Sequence, residues 1–365
     1  MHDAAHAAPA PRRTVVLIDA RMARRRRTGG ARYITGLIRA LDAHRDTIDV
    51  RAVHGPPPLP RRNALTSLGN LLLDLAWTHV ALPLLALRHR ADVIHATFNW
   101  GPWLTPRPVV ATIHDLSWEL LPDAYPGGFR RYARTFTRGT ARRARTVIAV
   151  SAATADDLAR IYGTDPAKIR VIHTGITPRT PSDGPRDAMI LHVGENEPRK
   201  RVPELIAAHA AYLAAAPPDP APCRLVLAGA GGGEEEAVAV ACDASQGCER
   251  LGYVDDTTLD DLYRRATLVV NNSAYEGFGL PVAEAMSAGC PVLVADTPAL
   301  REAGGPEALV VDGTGPGALA RALATALADR DALADRGRRG RAHAAGFTWE
   351  ACAAAHADAY RAAAG

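Results

Sequence analysis

The stretch TPRTPSDGPRD, residues 177–187, holds three prolines, one glycine and no apolar periodicity. Such a stretch reads as a linker, and strand and helix patterns alternate on both sides of it. Toward the N-terminus, residues 14–19 (TVVLID) form a short β-branched run of the kind that makes a buried strand. Further strands are predicted at 49–53, 93–96, 109–113, 146–150 and 169–172, with helical patterns between most of them. Beyond the linker, strands are predicted at 188–193, 224–228, 268–271, 291–295 and 309–311. The reading is an α/β protein with two Rossmann-like parallel-sheet domains facing across a cleft. The first domain spans residues 1–180 and the second 181–345. Residues 346–365 are predicted to form a helix crossing back to the first domain.

The 365 residues are 47% hydrophobic, which excludes an intrinsically disordered chain. The formal net charge of +4 is too mild to indicate a nucleic-acid binder on charge alone. The charge is unevenly shared, however. Residues 1–180 carry a balance of +14 and residues 181–365 one of −10, so the first half attracts anions. Five cysteines lack zinc-ligand spacing and are expected to be reduced, in a cytoplasmic protein. The apolar run after Arg13 ends at Asp19, too short for a signal segment. Residues 71–87 form the longest apolar stretch, interrupted by Asp74, His79 and Pro83. It is expected to be a buried amphipathic helix, with a membrane-surface helix as the alternative.

Residues 275–286 (YEGFGLPVAEAM) carry the densest chemical signal. They follow a predicted strand, and Pro281 suits the first turn of a helix. The glycines permit close backbone approach, and the helix start would offer the N–H groups of Gly279, Leu280 and Val282 to a phosphate. Glu276 and Glu284 are acceptor-only groups suited to sugar hydroxyls; capping of the helix dipole is the plainer alternative. In residues 192–200 (HVGENEPRK) a strand ends at Gly194 and a loop carries Arg199 and Lys200. Adjacent cations can neutralise a diphosphate without a metal, although a solvated basic loop would look the same. Lys200 is one of only two lysines among 43 basic residues. His114-Asp115 ends an apolar strand, where His114 could donate to a sugar hydroxyl, shuttle a proton or simply be structural. Arg24 to Arg27, before Thr28-Gly29-Gly30, suggest an anionic ligand or a solvated loop. Gly229 to Gly233 break the dinucleotide fingerprint at Glu234, and the sole D-x-D, Asp329 and Asp331, is not read as a metal site.

Taken in order, these motifs resemble the GT-B-fold retaining glycosyltransferases of family 4, particularly their bacterial mannosyltransferase-like and glycogen-synthase-like members. Thr28-Gly29-Gly30 with Arg32-Tyr33, residues 112–116 (TIHDL), Val150-Ser151, residues 173–176 (HTGI), residues 194–200 and 251–254 (LGYV), and the pair Glu276 and Glu284 carry the resemblance. It implies that Arg199 and Lys200 hold the donor diphosphate and Glu284 the ribose. Glu276, Gly277, Phe278, Gly279 and Leu280 would grip the transferred sugar and phosphates, with His114 at the reacting centre. Gly29, Gly30 and Gly194 would line the donor site, with Tyr253 and Val254 near the base. The implied activity is metal-independent transfer of a hexose, mannose favoured, from GDP-mannose or a UDP-sugar. No cofactor, metal or nucleic acid is expected. The acceptor is expected to be saccharide, lipid-linked or otherwise anionic, met by Arg27, Asn99, Trp100 and Trp118. The basic first half would permit peripheral contact with the inner membrane face. Two other readings remain: a nucleotide-sugar 2-epimerase on the same scaffold, and a non-catalytic sugar-nucleotide-binding protein.

Overall fold

Val16, Leu17 and Ile18 are fully buried, so both faces of the first strand are covered, as a parallel sheet between helices requires. A computed structural model describes residues 12–24, 28–60, 64–181, 184–217 and 221–365. Its first sheet contains β1 (Thr14–Asp19), β2 (Ile48–Val53), β3 (Val93–Ala96), β4 (Val109–Ile113), β5 (Thr146–Ala149) and β6 (Ile169–Val171). All pairs are parallel, in the order β2-β1-β3-β4-β5-β6. The second sheet contains β7 (Asp187–Val193), β8 (Arg224–Ala228), β9 (Cys248–Gly252), β10 (Ala266–Asn271), β11 (Val292–Val294) and β12 (Leu309–Val310). Its order is β12-β11-β10-β7-β8-β9, again all parallel.

The strand order determines where chemistry can gather. In the second sheet the winding direction reverses between β7 and β10, and such a reversal opens a crevice at the carboxyl ends of the strands. The loops that leave β7 and β10 therefore lie side by side. They carry Arg199 and Lys200 on one hand and Glu276 on the other.

The helix Trp349–Ala364 packs against the first sheet, not the second. Cys352, Ala353, Ala357 and Tyr360 share a core with Val16, Ile18, Ile34 and Leu37. The indole of Trp349 lies over Gly36, where a Cβ would come within 2.2 Å of the ring. A buried hydrogen-bonded chain fixes this contact. The carbonyl of Cys352 can only accept, so His356 donates to it from Nδ1 at 2.7 Å. His356 Nε2 then accepts from the Tyr33 hydroxyl at 2.8 Å. By the same logic Thr112 donates to Tyr33, His95 Nε2 to Thr112, and Tyr360 to His95 Nδ1, each at 2.8 Å.

Three sequence expectations need correction. The apolar stretch 71–87 is not a buried helix. It belongs to a helical run, Leu65–Arg88, broken only by a π-turn at Trp77–Ala81. Leu65, Leu68, Leu72, Val80, Leu84 and Leu87 are all exposed. The interruptions at Asp74 and His79 point inward, not outward. Asp74 takes bonds from Arg21, Trp100 and Tyr132. Second, β9 was not anticipated, because Glu249, Arg250 and Leu251 form an exposed edge without apolar alternation. Third, two of the cysteines are paired. Cys242 and Cys248 form a disulfide, with Cα atoms 5.4 Å apart.

Candidate active site

The short helical turn Pro198–Lys200 leaves Lys200 buried, although a lysine is seldom buried without a partner. Its partner is Glu276, from the loop after β10, and the ammonium bonds directly to Oε1. Arg199 Nη1 donates to Oε2 of the same carboxylate at 2.8 Å, and the Ser273 hydroxyl donates to Oε1 at 2.8 Å. Burial alone would push the Glu276 carboxyl up, but the two cations more than offset it and hold it well below the usual range. Burial lowers the Lys200 ammonium, with Glu276 opposing that shift. The cluster of two cations and one carboxylate keeps an excess positive charge. His192 lies beneath it, held down to about 4 by burial and by Lys200. Its Nδ1 meets the Val270 carbonyl at 3.0 Å, while Nε2 is buried without a hydrogen-bond partner among the described residues.

Gly279 takes φ 110°, a conformation that suits glycine, and starts the helix Leu280–Ser287 with Pro281 in its first turn. The N–H of Val282 is not free. It donates to the Gly279 carbonyl at 2.9 Å, because the turn tightens there. Among the described residues, no acceptor takes the N–H of Gly279 or Leu280. Phe278 packs its ring against Phe347, centroids 5.0 Å apart, so only its backbone can serve a ligand. Glu284, one turn inside the helix, is buried and meets Arg179 Nη2 at 3.2 Å and the Tyr263 hydroxyl at 3.3 Å.

The first domain closes over this site. A Cβ at Gly277 would fall 1.8 Å from the His114 carbonyl oxygen, so glycine is what lets the two chains meet. Ser151 and Thr154 donate to the Gly277 carbonyl at 2.5 and 3.1 Å. Gly29 faces Leu280, and Gly30 is covered by the Phe98 ring. Arg32 reaches Glu284 Oε1 at 3.2 Å and Asp256 at 3.1 Å. His114 Nε2 meets the Thr97 carbonyl at 2.9 Å, so that nitrogen is the donor. Burial lowers the pKa of the ring despite this bond and nearby Asp115. In the neutral ring Nδ1 is left as an acceptor, able to receive a sugar hydroxyl but not to donate to one.

Among the remaining candidates, a Cβ at Gly194 would lie 3.5 Å from the Lys200 stem, and Tyr253 and Val254 follow β9 beside Gly252, whose carbonyl accepts from Gly229. Trp100 donates to Asp74 at 3.2 Å and edges onto Tyr132. Asn99 and Trp118 do not present themselves to an acceptor. Asn99 is buried and receives the His114 N–H at 2.7 Å. Trp118 lies in the core and donates to Tyr162 at 3.0 Å. Arg27 lies outside the described residues. Asp329 of the D-x-D caps a helix through the Ala332 N–H.

Sequence reasoning missed three contributors. Arg32 and Arg179 are separated from Glu284 by 252 and 105 residues; Arg32 stood in a motif without a role, and nothing local marks Arg179 among so many arginines. The loop after β8, set aside as a failed dinucleotide fingerprint, braces the cation loop. Asn196 donates to the Gly231 carbonyl at 2.7 Å and Glu234 to the Asn196 carbonyl at 2.8 Å. A Cβ at Gly229 would lie 1.9 Å from the Gly194 carbonyl oxygen. The signal was present in the run of glycines, and its role is packing against a second loop.

Two family models match consecutive parts of the chain: Glycosyltransferase Family 4 over residues 27–180, and Glycosyl transferases group 1 over residues 180–343. The O-antigen chain mannosyltransferase B of Escherichia coli is 27% identical over 92% of this chain and 96% of its own length. The sucrose-phosphate synthase of Thermosynechococcus elongatus superposes with a TM-score of 0.74 at 21% identity, over 96% of this chain and 99% of that one. Alr3699/HepE of Anabaena, solved with UDP and glucose, gives a TM-score of 0.69 at 19% identity, over 96% and 100% of the two chains. With two parallel six-stranded sheets and both halves matched in order, the chain belongs to the GT-B-fold glycosyltransferases of family 4.

Proposed function

We propose that this glycosyltransferase moves a hexose, mannose favoured, from a nucleoside-diphosphate sugar to an acceptor hydroxyl with retention and without a metal. One observation carries the reading. Lys200 and Arg199 converge on one buried carboxylate, Glu276, three residues before the free N–H groups of Gly279 and Leu280 and next to Gly277, which abuts the His114 carbonyl. When the sugar leaves, charge grows on the outer phosphate of the nucleotide. Cations and amides already in place stabilise that charge without reorganisation. Attack from the face of the departing phosphate needs no nucleophile from the protein. The closed interface at Gly277 would keep water from the reacting sugar. Glu284 is the group for ribose hydroxyls, and Arg32 and Arg179 are its occupants without ligand. Mannose, with GDP-mannose as the first donor, is favoured by the likeness to the mannosyltransferase, and a UDP-sugar is the alternative, supported by the neighbour solved with UDP.

A thermal-shift panel of GDP, UDP, ADP, GDP-mannose and UDP-glucose tests the reading. A ligand of the folded state raises the melting temperature according to its affinity. The guanosine ligands are expected to raise it most, and Lys200→Ala is expected to remove the rise. In a transfer assay Lys200→Ala should cost about 10²–10³ in kcat, the usual loss for one charge-stabilising donor. No shift with any nucleotide would refute the donor site. Conversion of the sugar without acceptor would favour the epimerase.

A further inference from the structure

Along the helical run Leu65–Arg88, Leu65, Leu68, Leu72, Ala76, Val80, Leu84 and Leu87 are all turned to solvent, with Leu71 and Leu73 partly exposed beside them and Ser67 and Arg88 as the exposed polar residues. Steps of three and four place those seven in one row, and every member of the row is apolar. The row is roughly 33 Å long at 1.5 Å per residue. Leu65, Leu72 and Leu84 expose 77%, 58% and 60% of their surface, whereas contiguous apolar patches on soluble proteins usually mark contact sites. The other side of the run is anchored. Thr78, Leu82, Pro83 and Ala86 are buried, Leu82 and Ala86 within the core of the first domain. Asp74 is tied to Arg21, Trp100 and Tyr132. The helix is thus held lengthwise on the domain and cannot turn on end to cross a bilayer.

Beside it runs the helix Gly127–Arg143, joined through Tyr132 to Asp74 and through Phe136 to the His79 ring. It carries Arg130, Arg131, Arg134, Arg138, Arg142 and Arg143 and no acidic residue. Arg134 pairs with Glu119, and Arg143 lies over the Trp103 ring. The other four have no carboxylate partner among the described residues. Arginines line two open recesses here, of about 450 and 360 Å³.

The geometry points to a docking surface for an anionic lipid bilayer. The leucine row enters the boundary of the acyl chains, and the arginines receive lipid phosphates in the recesses. Charge complementarity selects this occupant. A second copy seated on the same face would bring six more arginines to it, whereas anionic headgroups neutralise those already there. The surface uses none of the residues around Glu276, so it stands or falls apart from the donor reading.

Co-sedimentation of the full chain with vesicles tests it. Vesicles of phosphatidylcholine alone are compared with vesicles that also contain phosphatidylglycerol. Binding is expected to the anionic vesicles, with little to the neutral ones, and to weaken at high salt. The combined variant Leu68→Gln, Leu72→Gln, Leu84→Gln should bind at least about tenfold more weakly, as should Arg130→Ser, Arg131→Ser, Arg138→Ser. Melting curves check the fold of both variants. If the leucine variant fails to fold, the arginine variant decides: weakened binding supports the proposal and undiminished binding overturns it. Wild-type chain left in the supernatant with anionic vesicles overturns it. So does undiminished binding by the folded leucine variant, or a dimer in ultracentrifugation that this variant abolishes while vesicles are ignored.

Discussion

A buried carboxylate shared by two cations is costly to disturb, because removing one member leaves charge without compensation. Glu276 is that shared member, between Lys200 and Arg199. Without ligand it offsets part of the charge that a diphosphate would otherwise meet. Glu276→Gln should therefore lower the stability of the free protein, by up to about 3 kcal/mol. The same change leaves the two cations short of negative charge. Added nucleoside diphosphate should then raise the melting temperature more in the variant than in the wild type. Both effects are read in one melting experiment. A smaller ligand-induced rise in the variant would mean that phosphates do not meet Lys200 and Arg199. Arg179 illustrates what sequence could not reveal at this scale. It lies in the proline-rich linker, where no motif includes it, and is buried against Glu284.

At the scale of elements, the strands buried on both faces were legible, because runs such as TVVLID and VVATI have no other economical place than a covered parallel sheet. The edge strand β9 was not, since its residues face solvent and carry charge. The run Leu65–Arg88 was misjudged for a related reason: periodicity reports that a helix has an apolar face but not whether anything covers it. The closing helix Trp349–Ala364 depends on the buried chain through His356, Tyr33, Thr112, His95 and Tyr360, and this makes its docking sensitive to acid. Burial holds His356 down to about 4, and burial together with the neighbouring His356 and His114 also lowers His95 well below its ordinary value. In the unfolded chain such rings take protons near pH 6.5. Below that pH the unfolded state binds more protons than the folded one, so stability falls as pH falls, until the folded rings titrate. Each ring contributes up to about 1.4 kcal/mol per pH unit. Urea unfolding should thus show a loss exceeding about 2 kcal/mol between pH 7 and 5, and His356→Gln should flatten the slope. Glu276 acts in a lower window: its depressed carboxyl favours the fold above the ordinary glutamate range and loses that contribution only as pH drops beneath it. A stability that is flat from pH 7 to 5 would contradict the neutral, buried rings.

Across the whole molecule, the two domains meet through contacts of unequal strength. The Gly277 carbonyl with Ser151 and Thr154 is buried and short, whereas Arg32 joins Glu284 and Asp256 from a position 40% exposed. An exposed ion pair of this kind contributes about 0–1 kcal/mol and weakens with salt. That is small against global stability but sizeable against a hinge that must open for a donor to enter. Arg32 holds the carboxylate proposed for ribose, so nucleotide binding must displace it. Arg32→Ala should leave the melting temperature nearly unchanged while shifting the free protein toward a more open form. Small-angle scattering should then give a larger radius of gyration for the ligand-free variant than for the wild type. High salt should widen the wild type in the same direction, and saturating donor nucleotide should bring both toward one compact form. Superimposable curves for the two ligand-free proteins would show that the other contacts, Gly277 with Ser151 and Thr154, Glu302 with His173 and Tyr275 with Asp157, hold the domains together, and that Arg32 does not govern entry.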